Sequence, residues 1–192
     1  MILPRSFYDR PTLLVARQLL GMRLVRILEG QRLSGIILET EAYVGPEDKG
    51  SHAHRGKTAR NAPMFGPPGY AYVYFTYGMH WCLNVVTEAE GFPAAVLIRA
   101  ILPEEGGEVM RTRRNGGDTL GPAKLTQALG IGRSENGIDL CTTEQGLWIE
   151  YGAPIPEERV TTTPRIGLNR VPEPWKSIPW RFVATVENHL YS

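Results

Sequence analysis

Leu33-Ser34-Gly35-Ile36-Ile37-Leu38-Glu39-Thr40-Glu41-Ala42-Tyr43 decides the architecture. The segment opens apolar and ends with two carboxylates and a phenol at alternate positions, a pattern with strand period. Just before it, Arg23-Leu24-Val25-Arg26-Ile27-Leu28 also reads as a strand, and Glu29-Gly30 supplies the turn between them. Upstream, residues 11–21 predict a helix, with Pro11 at its first turn and Gly21 as its stop. Downstream, residues 44–69 have little periodicity and predict a long ordered loop, a feature that in a small domain is commonly functional.

Further out, Tyr70–Thr76 and residues 80–87 predict two strands joined at Tyr77-Gly78, and residues 95–101 predict another. Residues 104–114 suggest a helix, and Gly121-Pro122 opens a second one that stops at Gly130. Strands are expected near 138–150 and 180–187, around a Pro-rich connection at 153–175. Helices and strands are mixed without regular βαβ alternation. The expectation is an α+β fold: a single mixed α/β domain over residues 1–192, around a curved antiparallel or mixed sheet with a protruding β-hairpin.

Composition narrows the function classes. With 42% hydrophobic and 21% charged residues the chain can bury a core, which argues against disorder. No apolar run approaches the roughly 20 residues of a membrane span, and the N-terminus has no apolar segment of signal-peptide length. Cys82 and Cys141 are read as buried free thiols without zinc spacing, so a reducing, cytoplasmic compartment is expected, nucleoid-associated in a bacterium. A net charge of +1 argues against a polycationic coat on nucleic acid, though local patches are compatible with it. Four of the 21 basic residues are lysines (Lys49, Lys57, Lys124 and Lys176), so candidates for Schiff-base chemistry are few.

Several groups can carry chemistry. Strand alternation puts Glu39, Glu41 and Tyr43 on one face, together with Ile37, and Thr40 and Ala42 on the other. Buried carboxylates need partners. A cleft lined by paired carboxylates and an edge strand with solvated ones are both compatible with the spacing. Tyr70, Tyr72 and Tyr74 share a second face, and tyrosines on strands commonly only pack. Tyr77, at an exposed tip, has little of its own chain to pack against and suits a wedge entering a base stack. Tyr43 and Tyr74 suit platforms for a flat ligand. The loop Ser51–Asn61 gathers His52 and His54 with Arg55, Lys57 and Arg60; two histidines are too few for a metal site, and a solvated basic loop competes with a polyanion contact. Lys124, in the first turn of the Gly121-Pro122 helix, suits a phosphate, but most helix starts bind nothing.

In order, Glu39-Thr40-Glu41-Ala42-Tyr43-Val44-Gly45-Pro46-Glu47-Asp48, His52, Arg60-Asn61, Met64-Phe65, Tyr72–Met79 and Asn84 resemble the alkyladenine (3-methyladenine) DNA glycosylase family. Val96–Ala100 and Gly121–Leu125 with Gln127-Ala128-Leu129 extend the resemblance to roughly residues 5–187. It implies Glu41 as the base holding the attacking water, Arg99 as its support, and Tyr43, His52 and Tyr74 as the sandwich around an extruded base. It implies Asn84 as a pocket-floor discriminator against an exocyclic amine, and Tyr77 as the intercalating wedge. It places Arg60, Asn61 and Met64 at the DNA, and adds a metal- and cofactor-free reaction on double-stranded DNA carrying damaged purines. A monomer without an obligate protein partner is expected. Two extra residues near Glu90–Pro93 and a shorter segment after Arg114 depart from the family pattern, away from the motif positions.

Two other readings are compatible with the residues alone. Alternate strand residues lie about 6.6–7 Å apart, within the range of an inverting carbohydrate glycosidase built on Glu39 and Glu41. A non-catalytic nucleic-acid-binding module would use the same aromatics and basic loop, but carboxylates facing phosphates would weaken it.

Overall fold

The computed structural model describes residues 1–185. Two short helices, α1 (Arg5–Tyr8) and α2 (Thr12–Gln18), precede the paired strands β1 (Arg23–Leu28) and β2 (Gln31–Val44). The chain continues through β3 (Ala71–Thr76), β4 (His80–Val86), β5 (Ala94–Glu105), α3 (Gly107–Arg113), α4 (Pro122–Leu129), β6 (Leu147–Glu150), β7 (Val160–Thr163) and β8 (Arg181–Ala184). One antiparallel sheet runs in the order β3-β4-β5-β2-β1-β6. β1 takes the first half of one edge of β2, and β8 takes the same edge at Glu39–Glu41, with β7 beyond it.

Two bulges aim the centre of this sheet. Ile37 faces Ile101 and Glu39 faces Ala100, so Leu38 is an extra residue in β2. Thr40 then faces Ile98, so Arg99 is an extra residue in β5. Bulges bend a strand and re-aim its side chains. The sequence places Ile37 on the carboxylate face, and the Leu38 bulge corrects that: Ile37 stays in the main core while Glu39 turns away from it. Beyond the bulges the expected alternation holds. Ala42 joins the core, and Thr40 donates from its hydroxyl to the Ala16 carbonyl of α2 at 2.8 Å.

Alternation sorts the neighbouring strands in the same way. Ala71, Val73, Leu83, Val85, Val96 and Ile98 face a core closed by Val15, Ala16, Leu19 and Leu20 near α2, Met110 of α3, and Leu125, Ala128 and Leu129 of α4. Tyr72 packs on the opposite face with Ala53, Met64, Val86 and Ala95. The helices thus cover one face, and the other is left for loops.

Several boundaries differ from expectation. β5 runs on through Glu105 because Leu102 and Pro103 still pair with β2, so the helix expected over 104–114 begins only at Gly107, after a left-handed Gly106 (φ +70°). The strand expected over 138–150 is confined to Leu147–Glu150, after a left-handed Gly146. β7 lies inside the segment read as a Pro-rich connection. The loop expected at 44–69 carries two short 3-10 helices, His52–Arg55 and Ala62–Phe65. The last strand is observed over Arg181–Ala184, and residues 186–187 of its expected span lie outside the described residues. Both cysteines are free, but Cys141 is only half-buried, correcting the reading of two buried thiols. Among the described residues, no helix is long and apolar enough to cross a membrane.

Candidate active site

The sheet face away from the helices opens into a cavity of about 290 Å³. Tyr72, Tyr74 and Thr76 of β3, Cys82 and Asn84 of β4, and Leu97 and Arg99 of β5 line it, each on the side that alternation assigns. Tyr43, Gly50, His52, Met64, Tyr77, Pro122 and the loop Ile166–Leu168 complete the wall.

The two carboxylates, equivalent in the sequence, have different surroundings. Glu41 is fully buried and held by three donors. The Tyr43 hydroxyl donates to its Oε2 at 2.8 Å, and Arg99 Nη1 approaches the same oxygen at 3.3 Å. The backbone N–H of Ile166 donates to Oε1 at 2.7 Å. All three donor residues line the cavity, so the carboxylate stands immediately behind its surface. Glu39 instead accepts from Arg99 Nε and Arg181 Nε, each at 2.6 Å. Burial pushes the Glu39 carboxyl up, but the guanidiniums of Arg181 and Arg99 outweigh it and hold it below the usual carboxylate value.

The aromatic wall is as firmly built. His52 Nδ1 and the Tyr72 hydroxyl are hydrogen-bonded at 3.0 Å, and the His52 ring meets Tyr74 edge-on, 4.6 Å between centroids. Desolvation by these rings, with Arg60 nearby, pushes the His52 imidazole down, which favours its neutral form. Burial, then the neighbouring Glu41 charge, pushes the Tyr43 phenol well up, so Tyr43 keeps the proton it donates. Burial likewise pushes Tyr72 up to about 12. Asn84 is buried and donates to the Tyr72 carbonyl at 3.0 Å.

At the cavity mouth, Tyr77 and Gly78 both have left-handed backbone, φ +51° and +68°. They are the central residues of a turn closed by the Met79 N–H on the Thr76 carbonyl, within the three-residue link between the paired Thr76 and His80; two such left-handed positions usually select Asn-Gly or Asp-Gly. Here a tyrosine takes the strained position and is 84% exposed. The other DNA-contact candidates are dispersed. Arg60 donates to the Phe75 carbonyl at 3.0 Å and lies over the Tyr74 ring, bracing the hairpin. Asn61 is buried; its side chain bonds His52, Gly56 and Thr58 within its own loop. Met64 is buried against the cavity wall. Lys124 is paired with Asp118 at 2.9 Å and does not line the cavity.

The model of the methylpurine-DNA glycosylase family matches residues 6–188 of this chain. The chain belongs to that family. It is accordingly a monofunctional DNA glycosylase, a hydrolase whose partner is DNA. It is 52% identical over 195 residues to a protein of Carboxydothermus hydrogenoformans named as a 3-methyladenine DNA glycosylase, covering 100% of this chain and 98% of the relative. A protein of the same name from Methanocella arvoryzae is 50% identical over 186 residues, covering 94% and 91% respectively. Another from Myxococcus xanthus is 47% identical over 188 residues, covering 98% and 92%.

The candidate site also draws in residues that the sequence did not single out. Arg165 and Ile166 come from the Pro-rich connection at 153–175, where no local periodicity marks them, and Arg181 from the expected last strand, where nothing marked its side chain as a partner. Only the need of two buried carboxylates for cationic partners pointed to unseen donors. Glu39 is a testable member of this set. Glu39→Gln is expected to fold and to slow single-turnover excision about 10-fold, because Arg99 loses a charge-assisted anchor worth roughly 1.5–3 kcal/mol. A carboxyl held below its usual value stabilises the fold above that value, and this contribution is lost as pH falls through the folded value. The melting temperature of the variant should therefore fall less steeply than wild type below about pH 4. An unchanged acid slope would remove the ionised Glu39 from the stability account.

Proposed function

We propose that this glycosylase excises alkylated or deaminated purines, flipping the base into the Tyr43–His52–Tyr74 cavity and hydrolysing its bond to C1′ with Glu41 as the base. One observation carries the reading: a fully buried carboxylate held by three donors directly behind an aromatic cavity, with an exposed aromatic at the mouth. Of the three contacts on Glu41, the one to Arg99 is the longest, at 3.3 Å. It is the natural place for a water to enter, and such contacts commonly tighten only once substrate is bound. Glu41 then takes the water's proton, and its charge stabilises the oxocarbenium-like sugar. Bases such as 3-methyladenine and 7-methylguanine are cationic in DNA. They leave readily and are attracted to electron-rich rings by about 0.5–2 kcal/mol. Hypoxanthine and ethenoadenine are the neutral candidates. Asn84 at the cavity floor discriminates against an exocyclic amine, Tyr77 fills the gap left by the flipped base, and Arg60 and Lys124 contact the backbone.

Release of bases from duplexes carrying each lesion tests the proposal: 3-methyladenine and 7-methylguanine are expected to be freed, and release of neither would sink it. The chemistry is one hydrolytic step, since none of Lys49, Lys57, Lys124 or Lys176 lines the cavity. Borohydride added during turnover is expected to trap no protein–DNA adduct, and a trapped adduct would show that an amine attacks the sugar.

A further inference from the structure

Of the three donors on Glu41, two belong to the sheet. Tyr43 lies two residues along the same strand, and Arg99 lies on the neighbouring one. The third, the Ile166 N–H, arrives 125 residues later in sequence, from a segment without regular structure between β7 and β8. Such a segment holds a backbone group in place only if something anchors it. The side chain of Ile166 is 51% exposed and gives no apolar anchor. Arg165 is the one buried residue between Thr161 and Arg170.

The anchor is elaborate. Arg165 and Asp48 form an ion pair with 0% of either side chain exposed, through Nη1 at 2.5 Å and Nη2 at 2.8 Å. Arg165 also donates to the carbonyl of Ala42 at 3.0 Å, the residue between Glu41 and Tyr43, and to that of Trp175 at 3.3 Å. Its guanidinium lies 4.7 Å from the Tyr43 ring centroid and 5.2 Å from that of Trp180. Asp48 in turn accepts from the N–H groups of Val44 and Gly50, which closes the turn after β2. Gly50 leaves the room: a Cβ there would meet Arg165 Nη2 and Leu168 Cδ1 at 2.8 Å. A buried ion pair is weak as a source of stability, because its desolvation cost offsets much of its attraction. A fixed planar fork does have one clear effect, which is to define a geometry.

We infer that Asp48 and Arg165 are positioning residues: their ion pair locks the 164–168 loop so that the Ile166 N–H fixes the second oxygen of Glu41. With Oε1 held, Oε2 is the oxygen presented to Arg99 and the incoming water. The inference rests on the proposal that Glu41 is the base.

The direct test replaces residue 166 by the α-hydroxy acid of isoleucine, which turns one amide into an ester. The N–H is deleted while the side chain and the ion pair stay. With duplex DNA carrying 3-methyladenine or 7-methylguanine, whichever wild type cleaves faster, the ester protein is expected to lose about 10–100-fold in single-turnover rate, the effect of one charge-assisted hydrogen bond. Its affinity for the same duplex should stay within about twofold of wild type, as expected for a group acting after capture. Arg165→Lys keeps the charge but not the fork and is expected to show a similar rate loss. Added to the ester, it should cost little more, since both changes remove the same contact. An ester protein with the wild-type rate overturns the inference and leaves Glu41 as base intact. So does a loss confined to affinity, or a loss in the double variant that is the product of the single losses. A wild type that excises neither base overturns the underlying functional reading instead, and the inference with it.

Discussion

Glu41→Gln is expected to leave a folded protein that still captures lesion-bearing duplex but excises the base about 10²–10⁴-fold more slowly, the usual contribution of a positioned acid–base group. The substitution keeps the shape of the side chain and one carbonyl oxygen. That oxygen can still accept from Ile166 or from Tyr43, which now donate to the two carboxylate oxygens. What is lost is the negative charge, and with it both the proton acceptor for water and the stabiliser of the positive sugar. The Gln amide nitrogen is a donor, but it can face the Tyr43 hydroxyl, which can turn to accept, while Arg99 keeps its anchor on Glu39, so the local structure has reason to persist. Single-turnover excision on trapped duplex, with binding followed separately, reads the two effects apart. Excision within a few-fold of wild type would move the base elsewhere. Glu39 would be a poor substitute, since two guanidiniums already occupy it.

Tyr77→Ala is expected to weaken capture of lesion duplex by about 5–150-fold, the range given by roughly 1–3 kcal/mol of aromatic stacking. Extrusion of a base leaves a gap that costs a few kcal/mol in lost stacking and pairing, and an inserted ring recovers part of that. Tyr77 meets the geometric demands of that role: exposed, at the tip of a two-strand hairpin, and beside the cavity proposed to receive the base. The left-handed backbone at Tyr77 supports the assignment, since a bulky residue there is an uncommon choice for a turn. In the free protein the same substitution removes an exposed ring but keeps the Cβ at a positive φ, so the melting temperature should stay close to that of wild type. Binding to undamaged duplex should change less than binding to lesion duplex. Equal lesion affinity for variant and wild type would take Tyr77 out of the mechanism.

Much of the site was legible because strands make it so. A period of two assigns Tyr72, Tyr74, Asn84 and Leu97 to one face and Val73, Leu83, Val85 and Val96 to the other, and both sets are found as that rule orders them. The rule fails at Ile37, where a single extra residue, Leu38, reverses the face. Nothing in an apolar run such as Ile36-Ile37-Leu38 marks which residue will bulge. It fails again where strand patterns are short or diluted, as with β7, whose four residues are Val160 and three threonines.

The sequence by itself determined the sheet face that lines the cavity, the aromatic wall, the hairpin tip and the family, because each rests on local spacing and residue type. It left Glu39 and Glu41 equivalent on spacing, and only the family resemblance preferred Glu41. The tertiary structure decided what distinguishes them physically, since that depends on which distant donors arrive. Arg181 reaches Glu39 from 142 residues away, and the Ile166 N–H reaches Glu41 from 125. Glu39 is tied between two guanidiniums, whereas Glu41 is held by a phenol, a backbone N–H and a longer contact to Arg99. Partners so far apart in sequence leave no periodic signal, and the chain brings them together only by folding.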